Sequence, residues 1–182
     1  MSQITPIIYL LLSVLQFIIL LRFICQAMDV SYYNPVTQTV VRLSDYFLIP
    51  FNILGLKANT YTLLILLYLF TFIKLYVPLM INSQIYPINS LLLVSFGYLI
   101  KDIVMIYWYL IIISAVKSWF NVFVNHPIFS LIDELCEPLY RFVRSVVPTL
   151  SGIDFSPVII LIFLQLIEII FLPRIFNLAS IL

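Results

Sequence analysis

The chain has 182 residues, 64% of them hydrophobic and only 9% charged, with a formal net charge of +1. An ordinary soluble domain carries about a quarter charged residues, so charges this sparse cannot cover a water-facing surface and the composition reads as an integral membrane protein. The small net charge excludes the basic field of a nucleic-acid binder. Two cysteines with no CxxC pair exclude a disulfide framework and leave no metal or redox centre, and three glycines exclude a phosphate-cradling loop.

In chain order, the first apolar run, Met1 to Leu21, has no charge, and Thr5-Pro6 supplies a cap residue followed by a proline suited to the first helical position. A helix crosses the hydrocarbon core with about 20 apolar residues, which predicts a first span over residues 5–26. No Lys or Arg precedes this run and no small-residue cleavage site follows it, so it is expected to stay in the mature protein. Asn34-Pro35 reads as a helix start in a polar segment over 29–59, and a second span follows over 60–80, interrupted by Lys74. The third span is predicted over 90–116 with Lys101-Asp102 inside it, and residues 90–102 can be read either as spanning or as a re-entrant half-helix. His126-Pro127 starts a second polar segment within 117–155. Ser156-Pro157, capped by Asp154 and Ser156, opens a fourth span over 156–176 that runs past Glu168 and Pro173.

The chain resembles itself. Setting Asn34-Pro35 on His126-Pro127 places "LSDYFLIPFN" on "LCEPLYRFVR", each ahead of a glycine turn at Gly55 or Gly152. The predicted fold is therefore all-α and polytopic, with four transmembrane helices in two parallel helix–loop–helix repeats, residues 1–85 and 86–182. Lys and Arg in short connections set orientation. Arg22, Arg42, Lys57, Lys117, Arg141 and Arg144 lie in the first and third connections against Arg174 alone at the far end, so those connections are expected in the cytoplasm and the termini outside.

The second polar segment has helical periodicity. Ile128, Leu131, Ile132, Leu135, Leu139, Phe142, Val143 and Val146 share one face, while Asp133, Glu134, Glu137, Arg141 and Arg144 share the other. It is expected to lie in the membrane plane as an amphipathic helix kinked at Pro138, with Pro148 to Pro157 turning the chain back into the membrane. Arg141 and Arg144 either contact anionic lipid headgroups or are neutralised by Glu134 and Glu137.

Four ionisable residues fall within spans: Lys74, Lys101, Asp102 and Glu168. At 1.5 Å per residue Lys74, Lys101 and Glu168 lie ~21, ~22 and ~18 Å from the cytoplasmic ends of their helices, at one level. Sequence neighbours on a helix face different ways, so Lys101 and Asp102 need separate partners, and Glu168 is expected to bond Lys101 or Lys74. The layer can be a lock between the repeats, a pair of snorkelling lysines, or an ion or proton pathway with Gln16, Ser95 and Gln165 as sparse additional groups. Trp108, Trp119 and the tyrosines suit interfacial belts. No nucleophile and base can be assembled around the sole histidine, so an enzyme is not expected, nor any cofactor.

The segments "NPVTQTVVRLSDYFLIP" and "EPLYRFVRSVVPTLSGIDFSP" resemble the two signature segments of the YggT/YlmG family of small membrane proteins. In the second, Glu137, Pro138, Leu139, Arg141, Arg144, Pro148, Gly152, Asp154, Ser156 and Pro157 stand where the family pattern has such residues. The first departs from the pattern at Asn52-Ile53, where a basic pair is usual, and Ser145 stands where a second arginine is common. The resemblance implies a multi-pass protein of the bacterial inner membrane that organises or assembles other membrane components. Members are linked to cell division, nucleoid distribution and cytochrome assembly, and one to osmotic tolerance and potassium uptake. The implied partners are the lipid bilayer and other membrane proteins or further copies of the chain, with Glu137, Arg141, Arg144 and Asp154 as the docking or headgroup-binding set. A cation-transport accessory acting through Lys101, Asp102 and Glu168 is the alternative.

Overall fold

A computed structural model describes residues 4–53, 55, 58–120, 126–147 and 154–182. Lys57, Pro148 and Gly152, read above as a positive-inside residue and two turn residues, lie outside the described residues.

Every regular element among the described residues is helical. Four stretches of the described residues are long and apolar enough to cross a membrane: Thr5–Ala27, Thr60–Ile81, Ile88–Ser118 and Ser156–Ile181. They belong to α1 (Ile4–Ala27), α3 (Thr60–Ile81), α4 (Ile88–Phe120) and a last helix built of α6 (Ser156–Leu166), a wide turn (Ile167–Phe171) and α7 (Leu172–Ile181). Two shorter helices, α2 (Pro35–Ile53) and α5 (Pro127–Val146), occupy the polar segments.

Local chemistry explains several of the helix ends. Asn59 caps α3 by accepting from the Thr62 N–H at 2.8 Å. Asn34 Oδ1 accepts from the Val36 N–H at 2.9 Å and His126 Nδ1 from the Ile128 N–H at 3.3 Å, each immediately ahead of a proline whose missing N–H needs no partner there. Gly55, at φ 75°, supplies the left-handed turn after α2. Two caps differ from expectation. Helix α1 already includes Ile4, so Thr5 lies inside it. Ser156 is the first residue of α6, and the carboxylate of Asp154 alone caps it, accepting from the Ser156 N–H at 2.8 Å. Helix α5 runs through Pro138 as one element.

Helix α4 is continuous over its 33 residues, without the break that a re-entrant half-helix would need. Its length of about 50 Å exceeds the hydrocarbon thickness, so it extends beyond the core or tilts within it. The widened turn Ile167–Phe171 precedes Pro173, whose ring crowds the carbonyl four residues back. There the Leu172 N–H reaches the Ile167 carbonyl five residues back, which carries the helix past the proline.

Packing passes from α1 to α3, from α3 to α4, and from α4 to α6 and α7, with α2 on α1, α5 on α4 and α6, and α2 against α5. The core joins Ile19, Leu20 and Ile24 of α1, Leu63, Leu66 and Leu67 of α3, Leu99 and Ile111 of α4, Leu135 and Cys136 of α5, and Ile160 of α6. Many large apolar side chains stay exposed on the spanning helices, among them Leu10, Phe17, Ile65, Ile162 and Phe163, as a lipid-facing surface requires. At Gly97 the chains of α4 and α7 come so close that an added Cβ would lie 2.7 Å from the Phe176 ring.

Candidate functional site

Helix α5 brings its polar face against the ends of α4 and α6 and encloses a cleft of about 930 Å³. Of the docking set, Glu137, Arg144 and Asp154 line it together. Arg144 donates through Nε and Nη2 to Asp154 Oδ2 at 3.0 and 2.5 Å, sits 3.8 Å from Glu137, and lies over the Tyr140 ring at 5.2 Å. Arg141 does not join them. It pairs with Glu137 at 3.8 Å, but its side chain is 79% exposed and stands outside the cleft beside the exposed Phe142.

Lys117 and Asp133 form a further ion pair in the cleft, between α4 and α5. Sequence reasoning used these two only for orientation and for the polar face. Their spacing in the chain gave no sign that the end of α4 folds onto α5. Glu134 does not neutralise the arginines. It turns the other way and accepts from the Ser31 N–H at 2.8 Å, while Asn34 Nδ2 donates to the Pro127 carbonyl at 2.8 Å. These two bonds tie the segment before α2 to the start and first turns of α5.

The cleft carries Lys117 and Arg144 against Asp133, Glu137 and Asp154, an excess of one negative charge. Partial burial pushes the Asp154 carboxyl up, but the hydroxyl and N–H of Ser156 and the Arg144 guanidinium outweigh it and hold the group below its ordinary value. Burial pushes the Tyr140 hydroxyl and the Cys136 thiol up to about 12, the latter with help from Asp133. Both stay protonated near neutrality, so neither is an activated base or nucleophile.

The intramembrane charges divide into two groups. Lys74 is only 5% exposed and donates to Asp102 Oδ2 at 3.3 Å. Gln16 Nε2 donates to the same oxygen and to Thr71 Oγ1, both at 2.8 Å, and the Thr71 hydroxyl donates to the Leu67 carbonyl at 2.9 Å. Tyr9 places its ring 5.7 Å from the Lys74 ammonium. This cluster joins α1, α3 and α4, and Thr71 and Tyr9 were not anticipated in it. The expected bond from Glu168 to Lys74 or Lys101 is not formed. Asp102 takes Lys74, and among the described residues neither Lys101 nor Glu168 has an ion pair or side-chain hydrogen bond. Both line a separate cavity of about 220 Å³ between α4 and α6 with Gln165, Met105, Trp108 and Tyr109. Arg22 is a further buried charge, 3.8 Å from Asp45 and under the Tyr32 ring at 5.9 Å.

Residues 93–175, which include all of α5 and both the cleft and cavity residues of α4 and α6, match the family model described as CCB3/YggT. An uncharacterized protein of Haemophilus influenzae is 32% identical over 150 residues, covering 81% of this chain and 79% of that one. The uncharacterized protein YggT of Escherichia coli K12 is 27% identical over 172 residues, covering 92% and 88%. An uncharacterized protein of Pseudomonas aeruginosa is 30% identical over 156 residues, covering 83% and 79%. No solved structure matches the chain.

Proposed function

The chain belongs to the CCB3/YggT family, and on that premise we propose that it is a non-enzymatic organiser of other membrane components, for which the α2/α5 layer is the docking surface. The observation that carries this reading is the α5 cleft. A helix outside the four spanning stretches sets Glu137 and Arg144 against Asp154 at the start of the last span around an open volume, and presents Arg141 and Phe142 outward beside it. An exposed guanidinium and an exposed aromatic ring are the residue types that anchor protein contacts. The protonated Tyr140 and Cys136 favour a binding role over a catalytic one.

The layer is proposed to face the cytoplasm of a bacterial cell, with the termini on the other side, because Arg22, Arg42, Lys117, Arg141 and Arg144 gather at that end. Two parallel repeats are proposed on related grounds. In the register that sets Asn34 on His126, the buried Val40, Ser44 and Leu48 of α2 fall on the buried Ile132, Cys136 and Tyr140 of α5, and both caps accept from the N–H two residues on. In the Lys74–Asp102 cluster the two charges pair with each other and Gln16 Nε2 is satisfied by Thr71 and Asp102, while Gln16 Oε1 alone of that side chain is left without a partner among the described residues. This pairing favours a lock over the cation pathway that is the alternative.

The test is gentle purification from native membranes with quantitative mass spectrometry of co-eluting proteins. A stoichiometric membrane partner, lost on Arg141→Ala and Arg144→Ala, is the expected result. Recovery of this chain with no other protein would sink the docking reading and direct attention to ion flux in liposomes.

A further inference from the structure

Lys101 and Glu168 form a pair that the single chain leaves open. Each is ionisable, each lies within a spanning stretch, and each lines the same small cavity between α4 and α6, yet neither has a polar partner among the described residues. Glu168 is exposed and Lys101 half-exposed, so in a membrane both border hydrocarbon, where an unpaired charge is costly. The cavity mouth is flanked by exposed Met105 and Tyr109, one and two turns along α4 from Lys101, and by Gln165 and Ile169 beside Glu168. Among the described residues, the charges on this lipid-facing strip are one cation and one anion at a common level.

We propose that this α4/α6 face is where a second copy of the chain docks, related by a two-fold axis along the membrane normal. Such an axis preserves depth and exchanges the two surfaces, so each residue meets its counterpart's neighbour. Because Lys101 and Glu168 share one level, the operation sets Lys101 of each copy against Glu168 of the other and makes two ion pairs from four unpaired groups. A face carrying two like charges would repel itself under the same operation. Met105 and Tyr109 supply the apolar contact around the pairs. The wide turn Ile167–Phe171 adds to the argument, since it contains Glu168 and such turns frequently mark functional positions. The proposal is independent of the docking role of α5.

Mixing two charge reversals tests it. Lys101→Glu leaves both positions acidic and Glu168→Lys leaves both basic, so each variant alone places like charges across the two-fold. Association of differently tagged copies in lipid nanodiscs is expected to fall at least tenfold for each variant alone. Mixing the two restores it, because an acidic copy then meets a basic one at both contacts. Pairing inside one chain predicts the opposite pattern, with no rescue on mixing and rescue only when both reversals share a chain. That pattern, or single variants that associate like the unaltered protein, would overturn the proposal. A second measurement leaves both charges in place. Met105→Cys in one copy and Gln165→Cys in the other, at matching depth on the facing helices, are expected to form a disulfide between copies in membranes, the native Cys25 and Cys136 being buried. Absence of that cross-link at every protein-to-lipid ratio would also overturn it.

Discussion

Replacing Asp102 by Asn keeps the shape of the side chain and its capacity to accept from Gln16, and removes only the charge opposite Lys74. Removing one partner of a buried ion pair costs about 3–5 kcal/mol, mostly because the other charge remains buried without compensation. Lys74 is 5% exposed and both groups lie within spanning stretches, where exposed surface meets lipid rather than water, so the loss is at least about 3 kcal/mol. That is a little over a hundredfold, or about two decades, in the folding equilibrium. Equilibrium unfolding in lipid bicelles reads it directly. The double variant Lys74→Met with Asp102→Asn removes both charges and keeps an acceptor for Gln16, and is expected to lie within about 1 kcal/mol of the unaltered protein. If Asp102→Asn instead unfolds like the unaltered protein, or if the double variant loses as much as the sum of its parts, the cluster is not a charge-paired lock.

Three further outcomes are expected. Gly97→Ala drives a methyl group into the Phe176 ring and should cost about 1–3 kcal/mol in bicelle unfolding, with most of it recovered when Phe176→Leu makes room. Asn34→Ala removes both the cap of α2 and the bond to the Pro127 carbonyl, for a loss of about 1–2 kcal/mol, whereas His126→Ala, with its longer 3.3 Å cap, should lose less. The Asp154 carboxyl is lowered from 3.8, so its contribution is present above the unfolded value and is lost as pH falls through the depressed folded value. Protection of the α6 N-terminal amides from hydrogen exchange should therefore be flat across neutral pH and fall only below about pH 4, and Asp154→Asn should remove that acid limb.

The four spanning helices and the amphipathic α5 were legible because each depends on a pattern along one chain: hydropathy over about 20 residues, or charges confined to one face of a 3.6-residue period. The caps at Asn34 and His126 were legible for the same reason. The partners of the intramembrane charges were not. Counting residues gives the depth of Lys74, Lys101 and Glu168 but not their direction around each helix. Direction decided that Lys74 reaches Asp102 and leaves Lys101 with Glu168 on another face. The widened turn before Pro173 also alters the direction in which residues around Glu168 point, and a proline alone does not announce a turn of that kind. The Lys117–Asp133 pair depended on α4 and α5 meeting, which no local pattern contains.

The distribution of polar contacts separates what holds the chain together from what it offers to others. Gln16, Thr71, Lys74 and Asp102 bond to one another across three spanning helices, and Asn34, Pro127, Ser31 and Glu134 bond across the segments at the α2/α5 end. The spans are thereby joined at two heights, so the relative placement of α1, α3, α4 and α5 does not depend on a bound partner. A rigid platform loses less ordering entropy when something docks on it. Lys101, Glu168, Arg141 and Phe142 are placed differently, being exposed or half-exposed at positions where desolvation is costly or apolar surface is left uncovered. Buried groups that bond one another need nothing further, whereas charges bordering hydrocarbon gain from a second surface of opposite sign. On this argument Lys101 and Glu168 are read as contacts with another copy in the membrane, and Arg141 with Phe142 as contacts with a different protein above it.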